Sequence, residues 1–217
     1  MIGGTGKLVL LALVLGLGAH ADAAEARQLF NGKNLDGWAF LANHEGPGFV
    51  VEDGELRTQG GSGLLWYTRE KIGNSIIRVV YKMSNEKGNS GVFIRVPTEP
   101  VSEPGAANAG IEVQIDDRDN DWHCTGTLYS MTKAMARASK PAGEWNTMEI
   151  KLEGPRTVVT VNGVTVTDYD GVSPVPEKVK PYEPDRHPRA ESGYIGVQNH
   201  DNQSVISFKE ISVRPLP

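Results

Sequence analysis

The chain has 217 residues, a formal net charge of -5, 25 glycines, 13 prolines and one cysteine. That length suits one domain with a sizeable core. The lone Cys124 excludes a disulfide scaffold and a cysteine-based zinc cluster, and the acidic balance argues against nucleic acid, whose phosphates need clustered Lys and Arg.

Lys7 precedes an apolar run at 8–17, followed by Ala19-His20-Ala21 and Ala21-Asp22-Ala23. A basic start, a short apolar stretch and small-x-small sites mark a secretory signal. The run falls short of the ~20 residues that span a bilayer. Residues 1–23 therefore read as an export signal cut after Ala21 or Ala23. Residues 24–217 read as one domain, periplasmic or extracellular, with no membrane partner once the signal is gone.

The mature chain is a series of short β-rich runs separated by Gly, Asn and Asp. Residues 49–51 and 55–58 flank Asp53-Gly54, a hairpin signal. Residues 75–83 alternate, with Ile77, Val79, Tyr81 and Met83 on one face. Strands follow at 91–96, 110–116 and 147–152. Residues 157–161 and 164–168 flank Asn162-Gly163, which suits a type I′ turn. Strands at 194–199 and 205–213 complete the series. About ten strands with short turns imply a two-sheet sandwich. A short helix is expected at 133–139. The stretches 97–110 and 171–191 are too long for simple hairpins and read either as covers over a site or as surface insertions. Trp38 and Trp145 read as core residues, and Trp66 suits either role.

Three strands share a pattern. Val92, Ile94 and Val96 form one apolar face, and Phe93 and Arg95 the other. Ile111, Val113 and Ile115 oppose Glu112, Gln114 and Asp116; Ile195 and Val197 oppose Tyr194, Gly196, Gln198 and His200. Planar donors and acceptors beside aromatic rings suit sugar hydroxyls. If these strands share a sheet, their polar faces line a concave groove.

The order of motifs supports this. The opening 29–38 (LFNGKNLDGW) resembles the "LFNGKxLxGW" start of the 3-keto-disaccharide hydrolase family, a bacterial domain formerly of unknown function. Residues 89–95 resemble "NSGxxxR", 110–116 "GxExQIxD", 125–129 "TGALY", 143–146 "GEWN", 193–200 "GxIGLQxH" and 208–211 "FRNI". Lys209-Glu210 departs from the usual Arg-Asn, and 117–123 looks like an insertion. The resemblance implies a concanavalin A-like jelly roll of two antiparallel sheets. It also implies action on glycosides whose sugar C3 is a ketone.

A glycosidase needs two carboxyls about 5–10 Å apart. Glu112 and Asp116 share a face but stand roughly 13 Å apart along a strand. Gln114 occupies the middle position, where laminarinase-type strands carry an acid. A 3-keto sugar opens another route, because the ketone acidifies the C2 proton. That route needs a base, an enolate stabiliser and an acid for the leaving oxygen. Glu112, Asp116 and His200 are the candidates for base and acid; histidine as a residue type exchanges protons near neutrality. Arg95 is the candidate for charge stabilisation, or else a structural partner of Glu112. Asn89, Gln114, Tyr129 and Gln198 are candidates for hydroxyl contacts, and Trp122 with His123 for stacking or contact at the groove edge. No cofactor is required. A divalent metal ion is possible in the acidic loop 119–123, whose Asp and Asn oxygens suit Ca²⁺, or between His123 and His200. A non-catalytic, lectin-like module is the alternative reading.

Overall fold

The computed structural model describes Met1, Gly3 and residues 25–44 and 46–217. The expected export signal therefore lies, apart from Met1 and Gly3, outside the described residues. In chain order the elements are β1 (Arg27–Gln28), β2 (Trp38–His44), β3 (Gly48–Glu52), β4 (Glu55–Gln59), β5 (Ser62–Tyr67), β6 (Ser75–Met83) and β7 (Ser90–Val96). Then come α1 (Glu103–Ala109), β8 (Ile111–Ile115), β9 (Asn146–Glu153), β10 (Arg156–Val161), β11 (Val164–Tyr169), β12 (Tyr194–Asn199) and β13 (Ile206–Pro215).

Two antiparallel sheets form a jelly-roll sandwich. The larger runs β11-β10-β9-β6-β13-β4-β3, with β1 added along β13; the smaller is five-stranded, β2-β5-β12-β7-β8. The hydrophobic core lies between them. Ile77, Val79 and Tyr81 from β6 and Met148, Ile150 and Leu152 from β9 face Val92, Val113, Ile115 and Val197 of the smaller sheet, all at most 1% exposed. Burying such side chains contributes roughly 1.5–3 kcal/mol each. The two expected hairpins form as read. Asp53-Gly54 joins β3 to β4 and Asn162-Gly163 joins β10 to β11. All four turn residues take the positive φ that a type I′ turn requires.

Several expectations are corrected. β5 was not expected, because its sequence SGLLWY is apolar without alternation. It is buried on both faces, so period-2 patterning is lost. Residues 133–139 form no helix. Their backbone serves neighbours instead, Ala134 N–H donating to Asp121 O and Met135 N–H to Val166 O. A helix forms in the 97–110 stretch instead, where Ser102 caps α1 by accepting from Gly105 N–H. Trp38 is in the core, its Nε1–H donating to Leu29 O. Trp145 is not: it is half-buried between the ammonium groups of Lys82 and Lys209, each 4.4 Å from its ring centroid.

Candidate functional site

The three patterned strands are neighbours, in the order β12-β7-β8. Their polar faces therefore form one surface on the outside of the smaller sheet. Register decides what stands beside what. Gly91 opposes Gln114 and Phe93 opposes Glu112. On the other side, Gly196 and Val197 oppose Phe93 and Val92, so Gln198 stands beside Gly91. Gly91 contributes no side chain, which leaves a recess between Gln114 and Gln198. The Glu112 side chain leans into it: a methyl on Gly91 would lie 2.6 Å from Glu112 Cγ.

Two covers turn this surface into a cavity of about 650 Å³. One is α1, seated by Ala106 on an apolar patch of Leu64, Trp66, Phe93 and Val96. It contributes Glu103, Pro104, Ala107 and Asn108 to the wall. The other is the proline-rich strap 171–191, which contributes Lys178, Tyr182, Glu183 and Asp185. The covers are tied together. Asn108 Nδ2–H donates to Asp185 Oδ2 at 3.1 Å, and Asp185 N–H donates to Asn108 Oδ1 at 2.7 Å. Both long stretches are thus covers over the site. None of these wall residues was singled out from sequence. The signal for α1 was present, a Ser before Glu-Pro at a helix start.

Glu112, Asn89, Gln114, Tyr129, Gln198 and His200 all line the cavity. No hydrogen bond from the described residues supports the Glu112 carboxyl. Burial, and then the charge of Glu103, push it up to about 8. Glu103 is itself held as an acceptor, by Gln198 Nε2–H at 2.9 Å and by Asn43 Nδ2–H. Because a carboxylate only accepts, the Gln198 amide must turn its NH₂ to Glu103 and its oxygen away. Gln114 donates to Asn89 Oδ1 at 3.2 Å. The side-chain oxygens of Gln114 and Gln198 are buried without a partner among the described residues, a cost of about 1–3 kcal/mol each. Tyr129 is pushed up to about 12, by burial first and then by the charge of Glu112, so its hydroxyl stays protonated. His200 sits at the end of β12, with Nδ1 2.8 Å from Asp201 Oδ2. The carboxylate can only accept, so Nδ1 carries the proton and Nε2 is left for the cavity.

Four expected site residues do not reach this cavity. Arg95 was expected on the polar face. A bulge resets the alternation: the β12 step from Tyr194 to Gly196 spans Val96 to Phe93 on β7, and Arg95 takes φ 57°. Val96 thereby joins the outer face, and Arg95 turns through the sandwich, 1% exposed. Its guanidinium donates to the carbonyls of Gly154, Arg156 and Ala190 and to Thr157 Oγ1, not to Glu112. Asp116 follows the end of β8 and is buried in a bidentate pair with Arg118, at 3.0 and 2.6 Å. Trp122 is 37% exposed and stands off the cavity wall. His123 backs the site instead of lining it, its ring centroid 4.8 Å from that of Tyr129 and its Nε2 2.8 Å from Ser130 Oγ.

The acidic loop considered for a metal is bound by a cation of the chain itself. Arg137 donates to Asp119 O, to Asp117 O and to Asp121 Oδ1. Among the described residues no three of His, Cys, Asp and Glu cluster in a way that could hold a metal. Also among them, no helix is long and apolar enough to cross a membrane.

A two-sheet jelly roll with a covered, polar cavity on its smaller sheet defines a concanavalin-like sandwich. The chain belongs to the family of 3-keto-alpha-glucoside-1,2-lyase-like domains, whose profile matches residues 25–214. No curated protein sequence matches it significantly. Among solved structures it is similar to two candidate glycosyl hydrolases from Parabacteroides distasonis. One is 26% identical with a TM-score of 0.71, over 88% of this chain and 100% of that one. The other is 24% identical with a TM-score of 0.72, over 88% and 94%. The fold is also that of the carbohydrate binding module CBM66 from Bacillus subtilis, at 12% identity and a TM-score of 0.51, over 82% and 95%.

Proposed function

We propose that the protein cleaves 3-keto-glycosides by elimination, with Glu112 as base. The observation that carries this reading is one carboxyl, free of hydrogen bonds and raised to about 8, alone in the recess of a polar cavity. A carboxylate of that basicity takes a carbon-bound proton better than an ordinary one. The remaining acids of the proposed machinery are committed elsewhere: Asp116 to Arg118, and Glu103 to Gln198 and Asn43. The family's name points to the same substrate class.

The steps balance as follows. Glu112 takes the C2 proton, and the electron pair moves onto the C3 ketone oxygen as an enolate. The Tyr129 hydroxyl, protonated at working pH, donates to that oxygen and fills the role expected of Arg95. The enolate collapses to a C1=C2 double bond and expels the leaving oxygen, which takes a proton from Nε2 of His200 in its imidazolium form, Nδ1–H staying with Asp201. The products are an unsaturated 3-keto sugar and a free alcohol. Water then adds across C1=C2, its hydroxide to C1 with its proton returning to His200, and the Glu112 proton to C2. Release after the first stage is a lyase reaction; completion of both is hydrolysis. The unpaired oxygens of Gln114 and Gln198 accept from ring hydroxyls. The export pattern read at 1–23 supports a substrate met outside the cytoplasm.

The test is release of the aglycone from 3-keto-glycosides and from the same glycosides unoxidised. Turnover of the oxidised set alone, lost in Glu112→Gln, is expected. Release from unoxidised sugar overturns the elimination. Binding without release supports a carbohydrate-binding module, the reading that the fold's likeness to CBM66 favours.

A further inference from the structure

The cavity is closed below by the five-stranded sheet, so a ligand enters past its covers, α1 and the strap. The floor is polar, with Glu112, Gln114 and Gln198. Its covers add apolar groups, Pro104 and Ala107 of α1 and Pro181, Tyr182 and Pro184 of the strap, set among charged side chains. A ring bound against Glu112 on the floor must be terminal, and whatever it is attached to passes the covers.

Tyr182 occupies its cover in a distinctive way. It is 71% exposed, whereas Trp66, Phe93 and Tyr67 of the underlying sheet are buried. It stands at the corner of a β-turn, in which Glu183 N–H donates to Lys180 O at 3.1 Å. Pro181 is the first central residue, where its fixed φ is already right for the turn. The turn is clamped from below: Glu183 Oε2 accepts from Val179 N–H at 3.0 Å and from Arg186 Nη2–H at 2.9 Å. Arg186 also donates to Ser130 O, next to Tyr129. On a rigid turn the backbone beneath the ring has little ordering entropy left to lose on binding. The other large exposed aromatic among the described residues, Trp122, is off the wall.

We infer that Tyr182 is the stacking platform for the leaving group, so that the site favours a terminal oxidised ring whose aglycone offers a flat apolar face. Two groups have such a face, an aryl ring and the CH side of a second pyranose. Which end of the ligand is the leaving group rests on the cleavage reading above; the stacking itself does not.

The test compares kcat/KM for methyl, 4-nitrophenyl and glucosyl 3-keto-glucosides in wild type, Tyr182→Ala and Tyr182→Phe. Tyr182→Ala is expected to lose five- to tenfold on a flat aglycone, mostly in KM, and to leave the methyl glycoside unchanged. Tyr182→Phe keeps the wild-type pattern. Loss on the aryl substrate alone assigns an aryl aglycone, and loss on the disaccharide alone a sugar. An equal loss on all three substrates, or none on any, overturns the platform. If wild type turns over none of them, the cleavage reading has failed, and calorimetric binding of the 4-nitrophenyl and methyl ligands decides stacking separately. There the same fold-loss on the aryl ligand in Tyr182→Ala supports it, and an unchanged ratio of the two affinities overturns it.

Discussion

The Glu112 side chain lies across the backbone of Gly91, on the neighbouring strand. A Cβ on residue 91 would sit 2.8 Å from the Glu112 carboxyl carbon, and closer still to one of its oxygens. Gly91 has no positive φ, so the glycine is required here by space and not by backbone conformation. Gly91→Ala should therefore move the carboxyl while the strand pairing persists. A misplacement near 1 Å costs about 100-fold in turnover. The expected result is that loss in kcat with little change in Tm. Retention of full kcat would show that the carboxyl need not stand there.

The second prediction concerns pH. Glu112 works as a base when deprotonated, so its ionisation should appear in kcat/KM as an inflection near 8. Glu103 contributes to the rise in Glu112's pKa, second to burial. Glu103→Gln should therefore shift the inflection to lower pH. A profile with no inflection near 8, or one that Glu103→Gln leaves in place, would take Glu112 out of the proton transfer.

The same group makes a stability prediction of the opposite sense. Its folded pKa lies above its ordinary value of 4.5. Between 4.5 and 8 the native state holds a proton that the unfolded state has lost, so stability falls as pH rises through that window. Glu112→Gln removes the titration. Its Tm should exceed that of wild type by more at pH 9 than at pH 5, as thermal unfolding at both values would show.

Arg95 separates stability from catalysis. It spends its donors on three carbonyls and Thr157, joining the β9–β10 turn to the strap at Ala190. Truncation leaves buried Thr157 and three partly buried carbonyls unpaired and empties the space of a buried side chain. Arg95→Ala should cost about 3 kcal/mol, roughly 6–12 °C in Tm for a domain of this size. Below that transition, kcat for 3-keto-glycosides should stay near wild type. A kcat loss without a Tm loss would return Arg95 to the chemistry.

The tie between the covers sets substrate retention. Asn108 and Asp185 exchange two hydrogen bonds across the cavity wall. Asn108→Ala removes both, worth about 1 kcal/mol net at an exposed site. KM should rise about fivefold with kcat unchanged, and the strap should become cleavable by trypsin at Lys178. An unchanged KM and digestion pattern would mean that the strap holds its place by itself.

The sequence by itself determined the sandwich, its two type I′ hairpins, and the polar faces of β7, β8 and β12. Those features are local: alternation has period two, and Asn-Gly and Asp-Gly choose their turn without help from distant residues. It also singled out Glu112, Gln114, Gln198 and His200, because β8 and β12 keep regular alternation up to the site, and Tyr129 through the motif at 125–129. Arg95 was misread because one extra residue inverts every side chain beyond it, and a bulge depends on the partner strand, here on Gly193 packed against the Arg95–Val96 backbone. Asp116 was misread because its partner Arg118 folds back only after the strand has ended. The cover residues Glu103, Asn108 and Tyr182 carry no pattern of their own. Only the tertiary fold brings 97–110 and 171–191 over the same recess, and with them the charge that raises Glu112 and the ring that guards the mouth.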